Sequence, residues 1–216
     1  MSSLLIIGAN GGIGYQTVVA ALQNGHKVTA LVRNPATLQL KDPNLKIIQG
    51  DILRPETYDA HLHDHITVIS AIGTRGGFFS DKPTTLYSEG NAILLKTMAR
   101  TGARRAFFIS ASAVEISPVL PPIVRWITKN IIQKLLKHMY ADLRRMETII
   151  RETSSIDWTI IRPPQLTDKP ATGNYRWAVN SFLKNCLKIS RADVAHFMIH
   201  HIDDSSTFAG LVEVGY

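Results

Sequence analysis

The sequence has a single cysteine, Cys186, and no long apolar run. One cysteine cannot form an internal disulfide, and the cysteine clusters of structural zinc sites are absent. No apolar run approaches the ~20 residues that span a membrane, so we expect no integral membrane association. Met1–Leu5 has no basic flank and leads quickly into glycines, which argues against a signal peptide. These absences favour a protein of the reducing cytoplasm.

Acidic residues are also in the minority. The 216 residues include 24 Lys and Arg but only 17 Asp and Glu, which gives a formal net charge of +7. An excess of positive charge attracts nucleic acids, membrane surfaces or anionic small molecules. No helix-turn-helix, zinc-finger or aromatic RNA-binding pattern accompanies the basic residues, so we expect no nucleic-acid partner.

Short β-branched runs alternate with longer segments of helical periodicity, which is typical of βαβ units. The predicted strands are Leu4–Ile7, Lys27–Val32, Leu45–Gln49, Thr67–Ala71, Ala106–Ser110, Trp158–Ile161 and Leu211–Val214. The predicted helices are Ile13–Asn24, Glu56–Leu62, Thr85–Thr101, Ile123–Lys137, Asp142–Thr153 and Ser190–His200. Most strands are apolar at successive positions, so helices should cover both faces. We therefore predict a single α/β domain over residues 1–216, with a doubly wound, mainly parallel sheet.

A glycine-rich turn directly follows the first predicted strand. Gly8, Gly11 and Gly14 are spaced three residues apart between a buried strand and a helix. A β-carbon at these positions would obstruct a positive-φ turn, the approach of a pyrophosphate, or close packing of helix on strand. The helix N-terminus offers unpaired N–H groups to phosphates. The alternative is an ordinary βα turn, but the combination favours Rossmann-type dinucleotide binding by Gly8, Asn10, Gly11, Gly12, Ile13 and Gly14.

The ends of the next strands predict which dinucleotide is bound. Arg33 stands where NAD enzymes usually carry an acidic residue, and its guanidinium suits a 2′-phosphate, which favours NADP(H) while leaving NAD(H) possible. The alternative is a solvated Arg at a strand end. Asp51 either accepts a hydrogen bond from the adenine amino group or caps the next turn. We also assign Ile52, Ala71, Ile72, Gly73, Ser110 and Pro163 to the cofactor site.

These residues resemble the atypical short-chain dehydrogenase/reductase family with its Gly-x-x-Gly-x-x-Gly turn. The sequence is most similar to the flavin reductase and biliverdin-IXβ reductase branch, and it also resembles NmrA-like proteins. The resemblance extends over Ile109–Ser112, Asp142–Glu147, Asp157–Pro164 and Ile189–Ala195. It implies a Rossmann sheet, NAD(P)H as cofactor, and a substrate held mainly by the C-terminal third.

The catalytic residues are predicted from the same resemblance. Short-chain reductases place a serine after the fifth strand, where Ser112 stands, to hydrogen-bond the reacting group. The alternative is a small residue that lets the cofactor approach. Many relatives use a Tyr followed four residues later by Lys, a spacing met here by Tyr140 and Arg144. Arg supplies charge but does not replace a lysine that also reaches the ribose, and the match is accidental if Tyr140 lies on a loop.

Gln165 stands where the flavin and biliverdin reductases carry a histidine after paired prolines. Without that acid near the substrate, bilin reduction is disfavoured, whereas hydride transfer to a flavin or quinone needs less acid–base help. We therefore predict an NADPH-dependent oxidoreductase acting on a small conjugated acceptor, with Ser112 and Gln165 in the substrate site. The alternatives are a non-catalytic NADP(H) sensor of the NmrA-like kind and a nucleotide-sugar epimerase or dehydratase. A monomer or weak homodimer is expected.

Three other features are open to interpretation. The eight histidines, including the run from His61 to His65 through Asp64, are interpreted as surface residues, and we expect no metal. The basic amphipathic segment 123–139 is a core-facing helix, a substrate lid or a membrane-surface helix. Residues 125–151 carry seven basic side chains against two acidic ones, which predicts a basic rim over the active site.

Overall fold

The computed structural model describes residues 1–63, 65–73 and 83–216. Its strands are β1 (Ser3–Ile7), β2 (Lys27–Val32), β3 (Leu45–Gln49), β4 (Ile66–Ser70), β5 (Arg105–Ile109), β6 (Asp157–Arg162), β7 (Gln165–Thr167), β8 (Arg176–Val179), β9 (Lys188–Ser190) and β10 (Gly210–Gly215). Within the described ranges, eight of them form one sheet in the order β3, β2, β1, β4, β5, β6, β10, β8. Only β8 is antiparallel to its neighbour among these strands, and β7 and β9 pair separately.

Helices cover both faces of the sheet. They are α1 (Gly12–Gln23), α2 (Leu86–Thr101), α3 (Pro122–Ile127), α4 (Gln133–Leu135), α5 (Lys137–Arg151) and α6 (Arg191–His200). Successive residues of a strand point to opposite faces, so Leu4 and Ile6 pack with α1 and α6 while Leu5 and Ile7 pack with α2 and α5. This explains why β1 is apolar throughout. The predicted doubly wound, mainly parallel fold is confirmed.

All seven predicted strands are present, with bounds that differ by no more than one residue. The predicted helix Glu56–Leu62 is wrong, because Pro55–Thr57 and Asp59–His61 form two separate 3-10 turns. The Thr57 hydroxyl donates to the Arg54 carbonyl at 2.6 Å, and this local bond competes with continuous helix. The short strands β7, β8 and β9 were not predicted, because three or four residues are too few to show a clear periodicity.

Segment 122–136 comprises α3, a π-helical turn at Thr128–Ile132, and α4. It ends at Leu136, and α5 then begins at Lys137, five residues before the predicted start. The Gln133 side-chain amide donates to the Ala113 carbonyl at 2.8 Å and ties the segment to the turn after β5. Among the described residues, no helix is both long enough and apolar enough to span a membrane.

Candidate cofactor and acceptor site

A cleft of about 1020 Å³ runs along the carboxyl ends of the parallel strands, where α/β sheets bind their ligands. It brings together sixteen of the predicted site residues: Gly8, Asn10, Gly11, Gly12, Ile13, Arg33, Asp51, Ile52, Ala71, Ile72, Gly73, Ser110, Ser112, Tyr140, Pro163 and Gln165. Two others, Gly14 and Arg144, do not line it. The predicted residues therefore converge on one site, although they follow six different strands, β1 to β6, or, for Tyr140, lie on α5.

The glycine turn has the geometry that a phosphate cradle needs. Gly8 has φ of +79°, and a β-carbon there would collide with the Ala71 carbonyl. A β-carbon at Gly14 would collide with the Gly8 carbonyl, so Gly14 permits helix packing rather than ligand contact. The Gly11 N–H donates to the Gly8 carbonyl at 2.9 Å and closes the turn. The N-terminus of α1 then faces the cleft, as a dinucleotide pyrophosphate requires.

Arg191 adds a cation to this cradle, and sequence reasoning did not single it out. It is the first residue of α6, and its Cδ and Nε lie 2.6 Å from where a Gly12 β-carbon would stand. Its Nη1 also pairs with the exposed Asp168 carboxylate at 2.6 Å. The only available signal was its place after the N-cap Ser190 in a motif shared with reductases. The glycine turn and this guanidinium together fit a bound pyrophosphate.

The opposite end of the cleft fits an adenosine group. Arg33 is exposed at the end of β2, and its guanidinium forms no hydrogen bond or ion pair within the described ranges. The Asn10 amide donates to the Thr37 hydroxyl at 3.0 Å beside it. Asp51 caps a turn by accepting from the Leu53 N–H at 3.0 Å, while it also lines the cleft. The two predicted roles of Asp51 are therefore compatible.

A buried hydrogen-bonded network stiffens the floor of the cleft. The Ser110 hydroxyl donates to Glu147 Oε1 at 2.6 Å. Arg162 donates to both Glu147 oxygens, at 3.0 and 2.6 Å, and to Glu115 at 2.8 Å. Because the Ser110 hydroxyl already donates to Glu147, Ser110 can contact a ligand through its backbone or as a hydrogen-bond acceptor. The bidentate pairing holds β6 to α5 in a fixed register.

Two serines that line the cleft have hydroxyls with no hydrogen-bond partner among the described residues. The Ser112 N–H donates to the Pro163 carbonyl at 3.0 Å, and its hydroxyl has no partner among the described residues. Ser117 lines the same wall, is 5% exposed, and its hydroxyl has no hydrogen-bond partner in the part of the chain described. An unpaired buried hydroxyl costs free energy until a ligand satisfies it. Ser117 was missed because nothing in its local sequence indicates burial.

Tyr140 lies on α5, not on a loop, and it lines the cleft. Burial raises the pKa of its phenol, and the charge of Arg144 acts in the opposite direction. The Arg144 Nε donates to the Val114 carbonyl at 3.2 Å, so its guanidinium is directed away from the cleft wall. Tyr140 and Ser112 therefore line the same cleft, and Arg144 does not.

Glu213 is an acid in the site that sequence reasoning did not find. It lies on β10, is 5% exposed, and accepts from the Leu183 N–H at 2.7 Å while lining the cleft near Gln165. Burial raises the pKa of its carboxyl, and the Leu183 N–H and Arg162 only partly offset this effect. A lone Glu in the apolar run Leu211–Val214 was the available signal.

The inner wall of this half of the cleft is apolar. Its side chains come from the turn after β5, segment 122–136 and α5, and they are Ile116, Leu120, Val124, Ile132, Leu136, Met139 and Leu143. The basic side chains of residues 125–151 do not line the cleft, so the predicted basic rim contributes nothing to this wall and stays a prediction for its outer edge. Among the described residues, the cationic lining of the whole cleft comes from Arg33 and Arg191. The apolar face of the segment is turned inward and its charged side chains outward.

The histidines do not assemble into a metal site within the described ranges, where no three His, Cys, Asp or Glu side chains are suitably placed. Asp64 of the His61–His65 run lies outside the described residues. His196 and His200 stack on α6 with ring centroids 3.8 Å apart, and Tyr175 hydrogen-bonds His196 at 2.7 Å. His196 therefore packs against Tyr175 next to β8, and His200 is exposed on the same helix.

Comparison with known proteins agrees with this geometry. The chain is 29% identical to the uncharacterized sugar epimerase YhfK of Bacillus subtilis over 94% of this chain and 89% of that protein. It is 35% identical to the photosystem II assembly factor Ycf39 of Guillardia theta over 50% of this chain, and it spans about a third of that relative's length, 34%. A short-chain dehydrogenase/reductase of Veillonella parvula in complex with NADP has the same fold, with a TM-score of 0.74, 19% identity, and coverage of 100% of this chain and 94% of that one.

A family match extends over most of the chain. Residues 8–205 match the family described as NAD(P)H-binding, a range that begins at the first glycine of the turn and includes every residue predicted for the cofactor site. The resemblance to short-chain dehydrogenases/reductases is likewise confirmed at the level of the fold. This chain therefore belongs to the NAD(P)H-binding protein family, with the Rossmann fold of the atypical short-chain dehydrogenases/reductases.

Proposed function

We propose that the protein is an NADPH-dependent oxidoreductase that transfers a hydride to a small conjugated acceptor of the flavin or quinone type. The observation that carries this proposal is the acceptor half of the cleft, which combines an apolar wall with two free serine hydroxyls. A flat conjugated ring is buried favourably by such a wall, and its carbonyl oxygens accept from the hydroxyls.

The charged residues that line the cleft indicate which cofactor it binds. The pyrophosphate would lie on the N–H groups of residues 11–13 with Arg191 beside it, and Arg33 would pair with the 2′-phosphate. At the end of the cleft near Arg33, Asp51 is the one cleft-lining carboxylate among the described residues. It already accepts a hydrogen bond from the Leu53 N–H. These contacts support NADP(H) over NAD(H).

When bound, NADPH supplies the hydride, and the chain's own residues orient and protonate the acceptor. Ser112 and Ser117 donate hydrogen bonds to an acceptor carbonyl and stabilise the negative charge that develops on its oxygen. Tyr140, kept protonated by burial, donates a proton to that oxygen, so a quinone gains one hydride and one proton and becomes a hydroquinone. Arg144 acts on Tyr140 only through its charge.

A nucleotide-sugar epimerase or dehydratase is the second candidate, favoured by the name of the Bacillus subtilis relative. A sugar presents several hydroxyls that need polar partners. The apolar wall described above offers few of them, which is why the reductase is preferred. A non-catalytic NADP(H) sensor would bind the cofactor at the same end of the cleft and would bind no acceptor at the other end.

The test is NADPH oxidation with menadione and FMN as acceptors, run beside UDP-glucose conversion and calorimetric titration of NADPH. We expect turnover of menadione or FMN that Ser112→Ala reduces by about a hundredfold, a typical loss for one polarising donor. Tight NADPH binding without turnover of either acceptor would contradict the reductase and favour the sensor. Interconversion of UDP-glucose would favour the epimerase. We expect the activity in the cytoplasm and from a monomer or weak homodimer.

A further inference from the structure

Segment 122–136 has a second apolar face, which points to solvent. Ile123, Ile127, Ile131 and Leu135 are 65%, 37%, 51% and 56% exposed, and Trp126 beside them is 57% exposed. Their neighbours Val124, Thr128, Ile132 and Leu136 line the cleft instead. Exposed apolar side chains gathered in one patch mark an interaction surface.

The π-helical turn keeps this outer face in line. Four α-helical residues turn by about 400°, so side chains at a strict four-residue spacing drift by about 40° per step. The wider turn at Thr128–Ile132 reduces that drift. One face of the segment can therefore remain apolar and solvent-facing over its length, while the next face remains on the cleft.

The charge around this outer face has one sign. Arg125, Lys129, Lys134 and Lys137 are exposed, and none of them forms an ion pair within the described ranges. The sequence has no Asp or Glu between Glu115 and Asp142. A shallow groove beside the patch is lined by Arg125, Trp126, Lys129 and Asn130, which combines two cations with an aromatic ring.

We propose that this face, Ile123, Trp126, Ile127, Ile131 and Leu135 with its four basic neighbours, docks the protein on an anionic lipid bilayer. Helices that lie in a membrane interface pair Trp and aliphatic side chains with Lys and Arg, because the apolar face enters the headgroup boundary while cations meet anionic lipid. A second copy of the chain is a poor occupant, since the same face would bring four cations against four without a carboxylate. The inference is independent of the proposed reaction.

The experiment is flotation of the full-length protein with vesicles of phosphatidylcholine alone or mixed with phosphatidylglycerol. We expect flotation with the anionic vesicles only, together with a blue shift of Trp126 fluorescence that Trp126→Phe abolishes while Trp158 and Trp177 remain. Lys129→Gln with Lys134→Gln should weaken vesicle partitioning about 25-fold, because each cation contributes about fivefold. The matched control, Lys27→Gln with Lys46→Gln at exposed positions of β2 and β3, should float as the unchanged protein does.

Ile123→Ser with Ile131→Ser should abolish flotation without unfolding, because both side chains are exposed, and circular dichroism checks the fold. Absence of flotation by the folded, unchanged protein would overturn the proposal, as would flotation that none of these variants reduces. A dimer in sedimentation equilibrium that Ile123→Ser with Ile131→Ser dissociates, without flotation, would assign the face to a second copy and would also overturn it.

Discussion

Ser117 holds a buried hydroxyl that no described residue satisfies. Ser117→Ala removes that unpaired group, so we expect the free energy of unfolding to stay unchanged or to rise by about 1 kcal/mol. The same change should raise KM for menadione about tenfold, because the acceptor loses one hydrogen bond of ~1.4 kcal/mol. Thermal melting and steady-state kinetics measure both effects. The exposed Ser154→Ala serves as control, and a large loss of stability in Ser117→Ala would contradict the interpretation.

Arg33 determines the cofactor preference if its guanidinium binds the 2′-phosphate. Arg33→Glu should then weaken NADPH binding by about 1.5 to 3 kcal/mol and leave NADH much less affected. Calorimetric titration of both cofactors measures the difference, with the exposed Lys41→Glu as a control of equal charge change. Equal losses for NADPH and NADH would show that Arg33 is structural.

Glu213 links stability to pH. Burial raises the pKa of its carboxyl above the ordinary value of 4.5, so the folded chain keeps a proton that the unfolded chain releases. The free energy of unfolding therefore falls as pH rises from about 4.5 through the folded-state pKa. Glu213→Gln cannot ionise, so it should gain stability relative to the unchanged protein as pH rises to about 7. Urea unfolding at several pH values tests this, with the exposed Glu152→Gln as the control for the loss of one carboxylate.

Sequence patterns predicted the site residues whose roles depend on residues adjacent to them in the sequence. The glycine spacing predicted the turn, and Arg33 was predicted from its place at the end of a strand. Arg191 and Glu213 were missed because their roles depend on contacts with Gly12 and Leu183, which are remote in sequence. Burial from a distant segment leaves no local pattern.

At the scale of elements, the βα turn is held by backbone contacts between Gly8 and Gly14. Gly14→Ala should cost about 1 to 3 kcal/mol of stability, because its β-carbon meets a carbonyl that cannot move without displacing β1. NADPH binding should be lost as the α1 N-terminus shifts. Gly73→Ala is the matched control for stability alone, since an added β-carbon there meets no described atom within 4 Å, while Gly73 itself lines the cleft. Thermal melts compare the two variants, NADPH titration follows Gly14→Ala against the unchanged protein, and an unaffected Gly14→Ala would contradict the packing role.

The start of α5 was predicted five residues too late. The predicted start was Asp142, but Asp142 lies inside the helix, is buried, and accepts from the Tyr87 and Ser88 N–H groups. Its carboxylate serves the N-terminus of α2, a contact across 55 residues of chain that periodicity cannot detect. The helix therefore begins earlier and carries Tyr140 into the cleft.

At the scale of the molecule, NADPH should stabilise the fold whether or not the protein turns over an acceptor. Binding to the folded state alone adds about 2.7 kcal/mol when the ligand is at a hundredfold excess over Kd. We expect Tm to rise more with NADPH than with NADH, and the difference to disappear in Arg33→Glu. Differential scanning fluorimetry measures the shifts. Equal shifts for both cofactors in the unchanged protein would contradict the NADP(H) preference.

The sheet and its two helical layers could be predicted because continuous apolar strands require cover on both faces. The distribution of charge could not, because sequence gives the position of a basic residue but not its direction around a helix. Lys129 and Lys134 belong to a segment that lines the cleft, yet they lie on its outer side.

The π-helical turn has a consequence for how this chain tolerates insertions and deletions. Loss of one residue from Thr128–Ile132 would rotate everything after it by about 100° relative to α3. Ile131 and Leu135 would turn away from their present direction, and Ile132 and Leu136 would leave the cleft wall. We therefore expect segment 122–136 to tolerate no change of length, unlike an ordinary surface loop. The extra residue of the π-helical turn keeps one row of side chains on the cleft wall and another row on the exposed face.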